Sequence, residues 1–93
     1  MAYSTKNEPN QFGIIIEFKH IAPSLRHNVE YHRERAEEGL RQIDDRAYAS
    51  CLVGCLERLD IGMAIGTDVV SVVSQLYKRS DVDASWDPVD SLF

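Results

Sequence analysis

The sequence predicts an α/β layer with its elements in the order strand, helix, helix, strand, strand. Three observations predict it. The run Gly13-Ile14-Ile15-Ile16-Glu17-Phe18-Lys19 has the β-branched and aromatic content of a strand. Downstream, apolar residues recur three and four apart, the period of an amphipathic helix. Past Gly62 and Gly66 the chain turns Val-rich again. Strand and helix signals that alternate along one chain imply helices laid on a sheet.

Residues 1 to 12 are polar and carry Asn7, Pro9 and Asn10, which reads as a polar arm with a turn. The three consecutive isoleucines that follow suit a central strand covered on both faces. Pro23 ends that strand and fits a helix start. From Leu25 to about Leu59 the pattern is helical. Val29, His32, Ala36, Leu40, Ile43 and Ala47 share one stripe, and Glu37 and Arg41 form an i,i+4 pair on the outer side. Asp44-Asp45 marks a break, after which a second helix from about Ala47 to Leu59 carries Cys51, Cys55 and Leu59 as its apolar stripe. Met63-Ala64-Ile65 reads as a short buried strand, Asp68 as part of a turn, and Val69 to Tyr77 as the last strand. Residues 80–93 hold four Asp, no Lys or Arg, and isolated Trp86, Leu92 and Phe93, which reads as an acidic tail. The organisation expected is therefore a polar arm (1–12), one domain (13–79) and a tail (80–93).

A chain of 93 residues makes one small domain. So short a chain buries a small share of its surface, and self-association is expected to add to it, most simply as a two-fold dimer. The net charge of -5 argues against a general affinity for nucleic acid, where Lys and Arg must neutralise phosphates. DNA stays a possible partner only through a local basic site. Arg26, Arg33 and Arg41 could form such a stripe, but Glu30, Glu34, Glu37 and Glu38 interleave with them and favour a mixed solvated face. No apolar run approaches the ~18 residues of a membrane helix. The opening MAYSTKNEPNQ lacks the apolar core of a secretory signal, so cytoplasmic residence is expected.

Two cysteines make no disulfide framework. A closed zinc site needs four ligands, and His20, His27 and His32 add no zinc spacing to Cys51 and Cys55. Buried small residues are the simpler reading of the cysteines. Trp86 and Phe93 are read either as anchors for a partner or as part of a disordered tail.

The residues with chemistry in them are Glu17 and Lys19. Alternate side chains of a strand share a face, so Glu17 and Lys19 point the same way as Ile15, opposite Ile14, Ile16 and Phe18. Charge is costly to bury unless it is paired or metal-bound. A carboxylate here would suit Mg²⁺, which prefers oxygen ligands and keeps several waters, and a neighbouring Lys could orient such a water or steady a phosphate. An exposed ion pair at a strand end is the plain alternative.

The stretch GIIIEFK, then AEEGLRQIDDRAYA, then IGMAIG and a Val-rich strand, resembles the PD-(D/E)XK nuclease family found in bacterial proteins beside an ATPase-like domain. The resemblance spans roughly Phe12 to Tyr77, and its most specific parts are Glu17-Phe18-Lys19 and Gln42-Ile43 with Tyr48 downstream. It implies a restriction-endonuclease-like core and an ancestral metal-dependent hydrolysis of DNA phosphodiesters. It implies Glu17 as a ligand to Mg²⁺, with the Phe18 backbone carbonyl beside it, and Lys19 as the catalytic lysine. Gln42 resembles the glutamine that such families direct to the site from the following helix; a solvated helix position is its other reading. The family also carries an aspartate on the strand before its E-x-K strand. Here Asn7, Glu8, Pro9 and Asn10 read as a turn, and Glu8 is the only acid upstream of Glu17. The expectation is an N-terminally truncated domain, inactive or incomplete as an isolated chain unless Glu8, Asp68 or a second chain supplies the acid, with a non-enzymatic interaction or dimerisation module as the alternative.

Overall fold

The residues ahead of the isoleucine run contribute a strand that the polar-arm reading did not expect. In a computed structural model, which describes residues 2–4, 11–45, 52 and 54–89, β1 (Ala2–Ser4) pairs antiparallel with β2 (Gln11–His20). The chain leaves β2 through a 3-10 turn at Pro23–Leu25 and enters α1 (Val29–Asp45). It then forms β3 (Cys55–Ile65), β4 (Val70–Lys78) and β5 (Asp87–Val89). The five strands lie in chain order in one mixed sheet, with β2 and β3 parallel and the other pairs antiparallel. The architecture is α/β, with one helix among the described residues. That helix is not long and apolar enough to cross a membrane.

α1 starts four residues later than Leu25, where the helical pattern begins. Asn28 explains the offset: its side-chain oxygen accepts from the Tyr31 backbone N–H at 3.0 Å, an N-cap that fixes the first turn. The predicted break at Asp44-Asp45 coincides with the last residue of the helix. Of the predicted stripe, His32, Ala36 and Ile43 are buried, whereas Val29 is 75% exposed and Gly39 takes a place on the buried face. Glu37 pairs with Arg33 at 3.1 Å, one turn before it, in place of the expected Arg41.

The second helix expected over residues 47–59 is replaced from Cys55 onward by β3; residues 46–51 lie outside the described residues. Strand burial explains the misreading. From Arg58 onward the buried positions of β3 are Arg58, Asp60, Gly62 and Ala64, a period of two with its charges inward. Leu59, Ile61, Met63 and Ile65 fall on the other face. Hydropathy alone assigns those two faces the wrong way round. The expected short strand at 63–65 is the end of this eleven-residue strand, which runs straight through Gly62. Glycine is required there, because a Cβ would collide with the Ala36 carbonyl oxygen and lie 2.6 Å from the Leu40 backbone nitrogen. The helix backbone therefore rests directly on β3.

α1 covers one face of the sheet. Ile15, Ile43, Leu52 and Cys55 form one buried cluster, with Leu40 and Trp86 against it; Ile21, Ala36 and Ala64 form a second. The segment read as an acidic tail thus returns to the fold. Trp86 packs on the first cluster, and β5 pairs with the end of β4 from Leu76↔Val89 to Lys78↔Asp87. Residues 90–93, including Phe93, lie outside the described residues.

Candidate functional site

Glu17 and Lys19 project from the α1 side of β2, as their spacing predicts. Their register partners across β3 are Gly62 and Ala64, both buried under the helix. Gly39 lets α1 approach: a Cβ there would stand 3.1 Å from the Glu17 carbonyl oxygen and 3.5 Å from Lys19 Cγ. One turn farther along the same helix face, Gln42 accepts a hydrogen bond through Oε1 from Lys19 Nζ. Lys19 and Gln42, 23 residues apart in sequence, therefore meet beside Glu17. The Phe18 ring points to the opposite face, where it is 48% exposed.

A carboxylate that the sequence reading took for solvated helix surface also faces this corner. Glu38 is held below the usual carboxylate range, first by its hydrogen bond from Arg35 at 2.7 Å and then by the charges of Arg35, Lys19 and Arg41. Its spacing of four from Gln42 is the signal that could have placed it there. Arg35 also reaches the His20 carbonyl at 3.4 Å, tying the helix to the end of β2. The corner thus lies toward the carboxyl end of β2, the place where open α/β sheets bind ligands.

Mg²⁺ takes near-octahedral oxygen coordination from one or two carboxylates, waters and substrate. Among the described residues no three His, Cys, Asp or Glu side chains gather into a metal-binding group. Glu17 brings one carboxylate, and Glu38 is engaged by Arg35. Asp68 is exposed in the turn before β4, and Glu8 lies outside the described residues. The described residues do not assemble the ligand set of a resident Mg²⁺.

The other candidates resolve structurally. His32 is buried with Nε2 2.9 Å from the Leu25 carbonyl, which staples α1 to the turn before it. Cys55 is buried on β3, and that burial pushes its thiol up while Arg79 opposes. Cys51 and Tyr48 lie outside the described residues. Arg33 is engaged by Glu37 at 3.1 Å, in keeping with the mixed solvated face expected there.

A second charged cluster stands at the other end of the same sheet face, in the stretch read as helix. Arg58 grips Asp60 through two hydrogen bonds, Nε to Oδ1 at 2.8 Å and Nη2 to Oδ2 at 2.7 Å, and reaches Asp44 at 3.0 Å. Its guanidinium lies 4.1 Å from the Tyr77 ring centroid and 5.2 Å from that of Trp86, which also stacks on Arg79 at 4.2 Å. Arg79 in turn donates to the carbonyls of Cys55 and Leu52. Burial pushes the Asp60 carboxyl up, more than the Arg58 hydrogen bond and charge pull it down. Burial also disfavours the Arg58 cation, but the Asp60 hydrogen bond and the charges of Asp60 and Asp44 outweigh it and hold the cation firmly charged. The bidentate geometry is that of an intact ion pair. Every buried side-chain nitrogen and oxygen among the described residues has a partner. The alternation Glu57-Arg58-Leu59-Asp60-Ile61 was the signal for a strand with a charged inner face.

Comparison with protein-family models, with curated proteins and with solved structures finds no match to this chain.

Proposed function

We propose that the chain carries the core of a PD-(D/E)XK nuclease-superfamily domain, descended from metal-dependent DNA hydrolases and incomplete as an isolated chain. One observation carries the reading: Lys19 and Gln42, named together with Glu17 by the resemblance, hydrogen-bond across the gap between β2 and α1. The topology is consistent with a restriction-endonuclease-like core, in which the E-x-K strand leads through a helix to a parallel neighbour. In this reading Lys19 steadies a phosphate oxygen or orients a water, and Gln42 holds the ammonium in position. Glu17 supplies one of the carboxylates that the ancestral chemistry shares.

Supercoiled plasmid incubated with the chain and Mg²⁺ or Mn²⁺ tests the reading. The expected result is no cleavage above that of Glu17→Ala. Robust cleavage lost in Glu17→Ala would show that the site is complete and that this account of it is wrong.

A second reading, an interaction module, is favoured by a separate observation: the sheet face turned away from α1 is largely apolar and carries the exposed side chains of Phe18, Ile65, Val70 and Val72.

A further inference from the structure

Alternation along three long strands separates two faces of very different character. Away from α1, β2 presents Ile14, Ile16 and Phe18, and β3 presents Leu59, Ile61 and Met63. Near the carboxyl ends of β2 and β3 the face is also exposed: Ile65 by 37%, Val70 by 58% and Val72 by 52%. β2 and β3 run ten and eleven residues. At ~3.3 Å per residue and ~4.8 Å between strands, β2, β3 and β4 give a flat footprint of about 500 Å², and side-chain relief adds to it. That is at the upper end of apolar patches on monomers. It approaches the roughly 600 Å² per partner at the lower end of specific interfaces.

We propose that this face is the dimer interface of the chain, occupied by the same face of a second copy. The charges on the face select that occupant. Glu57 and Lys78 are register partners at one end, while the opposite end carries Ile65 and Val70 as partners. A two-fold axis parallel to the strands, between β3 and β4, exchanges those two strands. It sets Glu57 over the partner's Lys78, and Lys78 over the partner's Glu57. It also sets Ile65 over the partner's Val70, Met63 over the partner's Val72 and Leu59 over the partner's Leu76. An axis across the strands would press both charges onto the apolar end, at the cost of burying them without a counter-ion. Two sheets stacked in this way settle about 30° from alignment because each is twisted. The interface stands independently of the nuclease reading, since Glu17, Lys19 and Gln42 lie on the other face.

Sedimentation equilibrium of the full chain from 1 to 200 µM tests the proposal. The expected result is a dimer with a dissociation constant in the micromolar range. Ile61→Lys should shift it to monomer, while Glu34→Lys on the exposed side of α1 should leave it unchanged. Glu57→Lys and Lys78→Glu should each weaken the dimer roughly tenfold, since each sets like charges over one another twice. The combined Glu57→Lys/Lys78→Glu chain should recover the original constant. If circular dichroism shows Ile61→Lys unfolded, the three charge variants carry the test. A monomer at 200 µM overturns the proposal, as does a dimer indifferent to Glu57 and Lys78 reversal.

Discussion

The two charged clusters on the α1 side of the sheet use the same kinds of residue and differ in how far water reaches them. Arg58 and Asp60 are 3% and 1% exposed, locked to each other and roofed by Tyr77 and Trp86. Glu17, Lys19 and Gln42 are only half-buried, toward the carboxyl end of β2. A buried pair whose every polar atom is partnered gains specificity for the fold and has little room for a ligand. A cation held at the sheet margin by a neutral amide keeps donors for an anion. The contrast assigns Arg58 and Asp60 to architecture and leaves Lys19 as the half-exposed cation with donors to spare.

The largest expected effect would break the contrast most plainly. Asp60→Ala leaves the buried guanidinium only the exposed Asp44 as a counter-ion and should cost about 3 kcal/mol. That is a large share of the ~5–15 kcal/mol available to a domain. Replacing both partners, Arg58→Met with Asp60→Leu, should come close to the parent stability, because neither desolvated charge then remains. Urea melts followed by circular dichroism measure both. A cost below about 1 kcal/mol for Asp60→Ala would remove the structural role of the cluster.

An intermediate effect concerns alkaline pH. Burial, with the nearby Asp44 and Asp60 charges, pushes the Tyr77 phenol up, and burial pushes the Cys55 thiol up. Both folded-state values exceed their unfolded ones. The corresponding stability is full below the ordinary thiol and phenol values, about 8.5 and 10, and is lost as pH rises through the raised ones. Melting temperature should therefore fall from about pH 8.5 upward. Tyr77→Phe, which keeps the ring over Arg58, should fall less steeply near pH 10 than the parent. Equal alkaline slopes in the two chains would contradict the assignment.

The smallest effect sharpens the other half of the comparison. Lys19→Met and Gln42→Ala should each change stability by less than about 1 kcal/mol, since the pair is half-exposed. A loss as large as that of Asp60→Ala would make the Lys19 corner structural as well.

Much of the α/β order was legible because it rests on local signals. The isoleucine run, the 3.6-residue stripe through His32, Ala36 and Ile43, and the Asp44-Asp45 stop each act over a few residues. The face shared by Glu17 and Lys19 followed from strand geometry alone. What was not legible depends on partners distant in sequence. β3 was misread because its inner face carries Arg58 and Asp60, whose burial makes sense only once Tyr77 and Trp86 lie over them. β1 and β5 are three-residue strands that exist by pairing, with no hydropathy signal of their own. The meeting of Lys19 with Gln42 was suggested by resemblance; no spacing in the sequence specifies it.

The reading proposed for the Glu17–Lys19–Gln42 corner is tested most directly by Mg²⁺ titration of the full chain followed by NMR. The proposal predicts weak binding, with shifts centred on Glu17, Phe18 and Lys19 that Glu17→Ala abolishes. The absence of shifts at that corner, or shifts that survive Glu17→Ala, would contradict it.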